Sequence, residues 1–169
     1  NAYSLVSAGS VSKLSIYLAP SGTLGQQAIK GVIYSDSGAA PAALLGTSTQ
    51  LTFSSTGAAG WYDLTFSSPV ALAAGRYWVG VITGATSGVA SFRYTNVSNS
   101  RDYNANPFTS GPTNPFGQAT VDGEQMSLYA TYTPSAPPTS PPVNTGVPVM
   151  SGVAQVGQTL TASSGSWSN

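Results

Sequence analysis

The sequence contains no cysteine and no histidine among its 169 residues. Without cysteine the chain has no disulfide, no thiol nucleophile and no thiolate ligand for a metal. Without histidine it can build neither a Ser-His-Asp triad nor a histidine-ligated zinc site. Because these two absences remove most of the common catalytic arrangements, we expect a protein that is not an enzyme.

Charge is also scarce. Only 6% of the residues are charged, compared with roughly 25% in an average soluble protein. The five basic and five acidic residues give a net charge of zero, and no basic stripe is present to neutralise phosphates, so we expect no nucleic-acid partner. The sequence has no run of roughly 20 apolar residues that would span a membrane.

Serine and threonine make up about a quarter of the chain and replace charge at its surface. A hydroxyl-rich, cysteine-free composition is typical of bacterial proteins that work outside the cell, so we expect a secreted or cell-surface location. Asn1, Ala2, Tyr3 and Ser4 lack the basic start and apolar run of a signal peptide. This start predicts a mature or excised fragment.

The few acidic side chains offer little for catalysis or for metal binding. A glycosidase needs two carboxylates flanking a sugar, and Asp122 and Glu124 are better interpreted as solvated acids near a turn, so we expect no catalytic residue. Calcium takes six to eight oxygen ligands, and the alternating Asp102, Asn104 and Asn106 form one candidate set. Asp122 with Glu124 forms another, but no DxDxDG-type loop exists. We expect no cofactor and leave a structural Ca²⁺ open.

Seven segments alternate apolar and polar residues in the manner of half-buried strands. Turn-forming Gly, Ser, Pro and Asn clusters separate them, and no segment shows a helical period. This pattern predicts an all-β fold, an antiparallel β-sandwich of the jelly-roll type. The predicted strands are 11–18, 29–35, 50–53, 61–66, 75–83, 89–95 and 125–133.

The composition changes after residue 133 and predicts three parts: a β-sandwich module over 1–133, a Pro-rich linker over 134–148 and an incomplete second β module over 149–169. The uncharged Pro-rich segment is typical of semi-rigid spacers. In the last part, the sequence from Val156 to Ala162 and the triplet Gly165, Ser166 and Trp167 resemble the opening strands of bacterial immunoglobulin-like repeats. This resemblance implies that the module is linked to further domains of the same chain.

One long segment, 96–122, is too rich in Asn, Pro and Gly for regular strands, and long ordered loops are often functional. Its mixture of amides, charges and aromatic rings suits a sugar ligand. Phe108 and Phe116 each follow Asn-Pro, which favours a structural role in which each ring plugs the core and pins the loop. Tyr103 could bind ligand or serve the structure. The candidate ligand-binding residues of this loop are Arg101, Asp102, Tyr103, Asn104 and Asn106.

A second candidate surface lies on the sheet. Tyr17, Tyr34, Trp78 and Arg93 fall on the sides of their strands opposite the most aliphatic positions, and they form an aromatic platform if those strands are neighbours. The alternative is that a loop or partner module covers this face, since aromatics are favoured in strands regardless of function. Trp61 begins a strand and could be a rim ligand or an edge of the core.

Four stretches carry a family resemblance, residues 30–36, 41–48, 60–66 and 74–80, and Pro69, Val70 and Leu72 connect the last two. Together they resemble β-sandwich modules attached to secreted actinobacterial proteins, often beside glycoside hydrolases, lyases or immunoglobulin-like repeats. The resemblance implies a jelly-roll accessory module similar to carbohydrate-binding modules, and it assigns no ligand residue.

Two functions are therefore open. The first is a non-catalytic carbohydrate-binding module that tethers a secreted multidomain protein to a polysaccharide. The alternative is a structural or adhesion domain of a cell-surface or filament protein. An exposed row of aromatic side chains would favour the first function, whereas buried aromatics with an apolar edge or a clasping loop would favour the second.

Overall fold

The computed structural model describes residues 1–84, 88–135 and 142–168. The chain divides into two compact units, Asn1–Ser135 and Ala136–Asn169. Apart from strands, the only regular element in these ranges is a single 3₁₀ turn at Phe108–Ser110. All strand pairs are antiparallel, so the predicted all-β, antiparallel character is confirmed. No described helix has the length and hydropathy to cross a lipid bilayer.

The first unit is built from short and medium strands joined mostly by tight turns. Its strands are β1 (Ala2–Leu5), β2 (Gly9–Pro20), β3 (Gln26–Ser37), β4 (Ala40–Thr47), β5 (Leu51–Ser54), β6 (Gly60–Leu72), β7 (Gly75–Thr83), β8 (Ala90–Phe92), β9 (Tyr94–Tyr103), β10 (Thr120–Met126) and β11 (Leu128–Pro134).

Five of these strands form one sheet in the order β1-β7-β3-β4, with β5 also paired to β3. The twelve-residue β3 lies at the centre because it pairs with β7 along one side and with β4 and β5 along the other. Pro41 lies in β4, at an edge of the sheet, where a missing backbone donor is tolerated.

Four other strands form a second sheet in the order β11-β2-β6, with β8 also paired to β2. Here β2 is central, and its register with β6 places Leu14 opposite Leu64 and Tyr17 opposite Trp61. Its register with β11 places Ser15 opposite Tyr129. Since side chains alternate between the faces of a strand, Leu14 and Tyr17 point to opposite sides of this sheet.

The two sheets face each other across one apolar core. Leu14 and Leu64 of the four-stranded sheet and Ile29 and Ile33 of the five-stranded sheet belong to the same buried cluster, each at most 1% exposed. Gly31 marks a close approach, since a Cβ placed there would lie 3.1 Å from a methyl carbon of Leu14 and 3.1 Å from Cβ of Leu64. This sandwich-like packing leaves each sheet with one outer face.

The expectation that 96–122 contains no regular strands is wrong. Residues 96–103 belong to β9 and residues 120–122 to β10, and the two strands form an antiparallel pair that runs from Thr120 opposite Tyr103 to Met126 opposite Tyr94. The prediction relied on the side-chain composition of the segment. The hydrogen bonds between paired strands are made by backbone groups, which every residue other than proline supplies in full, so a polar segment can also form strands. Only the connection between the two strands is irregular.

Two of the predicted strands are each interrupted by one residue. Predicted strand 89–95 breaks at Arg93, between β8 and β9, and predicted strand 125–133 breaks at Ser127, between β10 and β11. The backbone N–H of Ser127 donates to the carbonyl of Arg93, and its own carbonyl accepts from the N–H of Tyr17. Ser127 is therefore the point where the chain stops pairing with β9 and starts pairing with β2.

The alternation pattern also missed β1 and β4. Strand β1 pairs with the N-terminal half of β7, placing Ala2 opposite Trp78. The side chain of Asn1 ties this edge to the β9–β10 pair, because its Nδ2 donates to the carbonyl of Ser100 at 2.7 Å and its Oδ1 accepts from the N–H of Met126 at 3.0 Å.

The second unit contains two short strand pairs. Strand β12 (Val143–Gly146) pairs with β15 (Ser166–Ser168), and β13 (Met150–Ser151) pairs with β14 (Thr161–Ala162). Strand β12 falls within the predicted linker 134–148, of which residues 136–141 lie outside the described residues. The apolar side chains of this unit are exposed, including Trp167 at 60%.

Candidate functional site

Tyr34 and Trp78 are neighbours on the outer face of the five-stranded sheet. They face each other in the register of β3 and β7, and together with Val32 they form a small cluster separate from the central core. Both are buried, with 3% and 5% of their surface exposed. Tyr17 lies on the other sheet, so the structure does not unite Tyr17, Tyr34, Trp78 and Arg93 into one platform. Arg93 itself is exposed and follows β8 directly.

The connection between β9 and β10 covers Tyr34, which is the covered-face alternative raised by the sequence. The ring of Phe116 packs edge-on against Tyr34 with centroids 5.1 Å apart, and the phenol of Tyr34 donates to the carbonyl of Thr113 at 2.8 Å. The backbone N–H of Phe116 donates to the carbonyl of Ala42. Phe116 therefore pins the connection to the outer face of the sheet and does not enter the central core.

The two predicted asparagines hold this connection in shape. Asn104 Nδ2 donates to the carbonyl of Phe116 at 2.7 Å and to Oγ1 of Thr113 at 3.2 Å. Asn106 Nδ2 donates to the carbonyl of Gly111. The side-chain amides of both residues therefore donate to groups of the loop itself.

A cleft of about 230 Å³ opens beside Trp78 and Tyr34, between the outer face of the sheet and the β9–β10 pair. We call it the Asp102 cleft. Its lining includes Phe116 and six of the candidate ligand-binding residues from the sequence. These six are Tyr34, Trp78, Arg101, Asp102, Tyr103 and Asn104.

Trp78 is fixed beside this cleft by polar contacts. Its indole N–H donates to Oδ1 of Asp36 at 2.7 Å, and the guanidinium of Arg76 lies over its ring at 5.6 Å. Arg76 also pairs with Asp36 at 3.5 Å. Asp36 holds the indole ring at its N–H edge and Arg76 covers one of its faces, so Trp78 forms a rigid wall of the cleft.

Arg101 binds both acidic residues of β10. Its Nε donates to Asp122 Oδ1 at 2.9 Å, and a terminal nitrogen pairs with Oδ2 of Asp122 and with Oε2 of Glu124. The guanidinium lies 5.0 Å from the ring centroid of Tyr103. The hydrogen bond from Arg101 lowers the pKa of Asp122. Asp122 and Glu124 are therefore members of an ion-pair network with Arg101, and they are not simply solvated acids near a turn.

On the outer face of the four-stranded sheet, three aromatic side chains from three adjacent strands lie in contact. Tyr17 and Trp61 have ring centroids 5.6 Å apart, and Trp61 and Tyr129 have centroids 5.0 Å apart. Trp61 is 52% exposed and Tyr129 is 47% exposed. We call these three residues the aromatic row. Trp61 therefore does not belong to the buried core.

Polar side chains continue this face beyond the aromatic row. Asp63 accepts from Lys13 Nζ at 2.6 Å and from Ser15 Oγ at 2.6 Å. The hydrogen bond from Lys13 is the largest cause of a lowered pKa at Asp63. The pair carries no net charge, and the small Ser15 lies opposite Tyr129, which leaves room for that ring to reach Trp61.

Comparison of the chain with models of known families, with curated proteins and with solved structures gives no match. Within the described ranges, no three acidic side chains come together as metal ligands. The two surfaces that remain are the aromatic row and the Asp102 cleft, which lie on different sheets.

Sequence reasoning did not nominate Tyr129. The sequence does show that Tyr129 faces away from the core. The alternation in 125–133 places Met126, Leu128, Ala130 and Tyr132 on one side of the strand and Tyr129 on the other. The missing information was the strand order, which brings β11 beside β2 and so brings Tyr129 to Trp61.

Proposed function

We propose that the first unit is a non-catalytic module that binds polysaccharide through the aromatic row. The observation that carries this proposal is the pairing of Trp61 with Tyr129, whose ring centroids lie 5.0 Å apart while each residue remains about half exposed. Both rings stand on paired strands, so their positions are set before a ligand arrives.

Sugar rings combine apolar faces with hydroxyl rims. Tyrosine and tryptophan supply large, rigid, amphipathic contact area at low entropic cost, which suits stacking on such faces. The surroundings also suit a neutral polymer, because Lys13 and Asp63 cancel each other's charge. Thr65, which lies opposite Lys13, adds an exposed hydroxyl group along the same face.

The broader context belongs to the same proposal. We infer that the sandwich has a jelly-roll topology, that 134–148 links it to an immunoglobulin-like fragment at 149–169, and that the module tethers a secreted or cell-surface multidomain protein to its polymer. The low charge, the abundance of hydroxyl side chains and the resemblance to modules of secreted proteins support this context.

The test is retention of the purified chain on insoluble cellulose, chitin, xylan and β-glucan. Trp61→Ala is expected to reduce retention at least about tenfold on the polymer that binds wild type, since buried aromatic anchors contribute about 2 kcal/mol or more to interfaces. Trp167→Ala is the matched control, because Trp167 has similar exposure, 60%, and belongs to the second unit.

Retention of wild type and of Trp167→Ala together with loss in Trp61→Ala supports the proposal. Retention that persists unchanged in Trp61→Ala contradicts the aromatic row as the contact surface. Absence of retention on every polymer contradicts polysaccharide binding and leaves the structural or adhesion role.

A further inference from the structure

The Asp102 cleft exists because β7 has a glycine on its outer face. Gly80 lies opposite Val32, between the outward-facing Trp78 and Ile82 of the same strand. A Cβ at Gly80 would meet only Cγ2 of Val32, at 3.8 Å, an ordinary contact. The packing therefore leaves room for a Cβ at this position, and the lack of a side chain keeps the floor of the cleft open.

The walls of the cleft are aromatic and already ordered. Trp78 is fixed by Asp36, and Tyr34 is fixed by Thr113 and Phe116. Tyr103 lines the cleft while 43% exposed, so its ring is accessible to a ligand entering from solvent. Ligand sites typically combine such apolar walls with a few polar groups that fix orientation.

Asp102 is the carboxylate of this cleft, and it takes no part in the ion pairs of the described residues. The chain has five carboxylate side chains, and Asp36, Asp63, Asp122 and Glu124 all take part in ion pairs. Asp102 makes no ion pair with any residue in the described ranges. Burial raises the pKa of its carboxyl above the ordinary 3.8, and this outweighs the attraction of the Asn1 ammonium group and of Arg76, which lowers it.

Size and charge together narrow the ligand. A volume of about 230 Å³ lies below the roughly 300–1,000 Å³ of sites for drug-sized ligands, so it suits a single ring. Arg101 lines the cleft and Arg76 lies over Trp78, and both are already paired with carboxylates, so they are not free to bind an anionic ligand. A neutral molecule with hydroxyl donors suits both the aromatic walls and the free carboxylate.

We propose that the Asp102 cleft binds one sugar ring, with the two carboxylate oxygens of Asp102 accepting hydrogen bonds from adjacent hydroxyls. An ionised carboxylate offers two acceptor oxygens, and hydroxyl-to-carboxylate hydrogen bonds are among the stronger ones. The aromatic walls contact the apolar face of the ring. This site is separate from the aromatic row and does not depend on it, because the two lie on outer faces of different sheets.

The test uses the whole chain and measures saturation transfer by NMR to methyl glycosides of glucose, galactose, mannose and xylose. Gly80→Val fills the floor of the cleft and removes no polar group, and it is expected to weaken binding at least about tenfold. Gly80→Ala is expected to have a smaller effect of the same sign. Asp102→Asn is expected to weaken binding about tenfold, as expected for loss of a charged hydrogen-bond partner.

Trp61→Ala separates this site from the aromatic row, and binding of the glycoside is expected to be unchanged in it. Circular dichroism and the melting temperature verify that each glycine variant is folded, and Gly80→Ala serves if Gly80→Val is not. Binding of no glycoside, or binding equal in wild type and the folded glycine variants, overturns the proposal. Asp102-dependent binding of phenethylammonium in place of the glycosides also overturns it.

Discussion

Arg101 donates from Nε to Asp122 Oδ1 over 2.9 Å across the β9–β10 pair. A second nitrogen of the same guanidinium reaches the other oxygen of Asp122 and also Glu124. Such forked contacts combine charge with fixed geometry. In a chain with so few charges, this cluster gathers three of the ten and holds β9 and β10 in register beside the Asp102 cleft.

Replacing Asp122 with Asn is expected to lower the free energy of unfolding near neutral pH by at most about 1 kcal/mol, because solvent screens this partly exposed ion pair. The pKa of Asp122 is lowered from its ordinary 3.8 in the folded protein. Its stabilising contribution is therefore complete above that value and is lost as the pH falls through the folded-state pKa.

Urea denaturation of wild type and of Asp122→Asn at about pH 7, 4 and 2.5 measures this. The difference between the two proteins is expected to shrink as the pH falls below about 4. A difference that is the same at all three values would show that the ion pair is not its source.

Replacing Phe116 with Ala is expected to loosen the connection between β9 and β10. Phe116 packs on Tyr34 and is partly buried. The replacement is therefore expected to lower the free energy of unfolding by about 1–3 kcal/mol, which is less than the roughly 3–5 kcal/mol for a fully buried Phe. Faster amide exchange is expected at Leu44 and Phe116, whose N–H groups bond between the loop and β4.

Phe108→Ala is the matched control, since Phe108 also follows Asn-Pro but lies under the ammonium group of Lys30 at 5.3 Å. An exposed cation–π contact is worth about 0.5–1 kcal/mol, so its loss is expected to cost less. Equal losses in both variants would contradict the pinning role of Phe116.

The three tryptophans are expected to differ in their fluorescence. Trp78 is 5% exposed, whereas Trp61 and Trp167 are 52% and 60% exposed. A protein with Trp61→Phe and Trp167→Phe retains only Trp78, so its emission is expected to shift to shorter wavelength and its quenching by acrylamide to fall several-fold. Quenching as efficient as in wild type would place Trp78 in solvent and contradict the covered outer face.

Adjacent positions in β2 are expected to respond very differently to truncation. Leu14 is fully buried in the core, so Leu14→Ala should cost about 2–5 kcal/mol. Lys13 lies on the outer face in an exposed ion pair with Asp63, and solvent screens such pairs, so Lys13→Ala should lower the free energy of unfolding far less. Urea denaturation measures both, and comparable losses would mean that the two side chains do not alternate as described.

Local alternation was sufficient to predict where most strands lie. In β2 and β7 the alternation marks the residues that face the core, because burial on one face dictates the side-chain period. It could not give the order of the strands, which depends on contacts between residues far apart in sequence. For this reason Tyr17 was grouped with Tyr34 and Trp78 of the other sheet, and Tyr129 was overlooked.

The polar strands β9 and β10 show a second limit. Asn96 and Ser98 do not suggest a strand, yet backbone pairing with β10 sets their conformation. The Asp102 cleft could not be predicted either, although six of its lining residues were candidates from the sequence. Its floor depends on the missing side chain of Gly80, and a glycine within a strand has no single meaning in a sequence.

The sandwich separates the aromatic row from the Asp102 cleft by a full layer of core side chains. Facing sheets lie about 10 Å apart, so a polymer chain lying along one outer face cannot reach the other. If each surface binds as proposed, the first unit would hold a sugar on either side at once. It would then cross-link two polymer chains, and a polysaccharide suspension would aggregate when the protein is added.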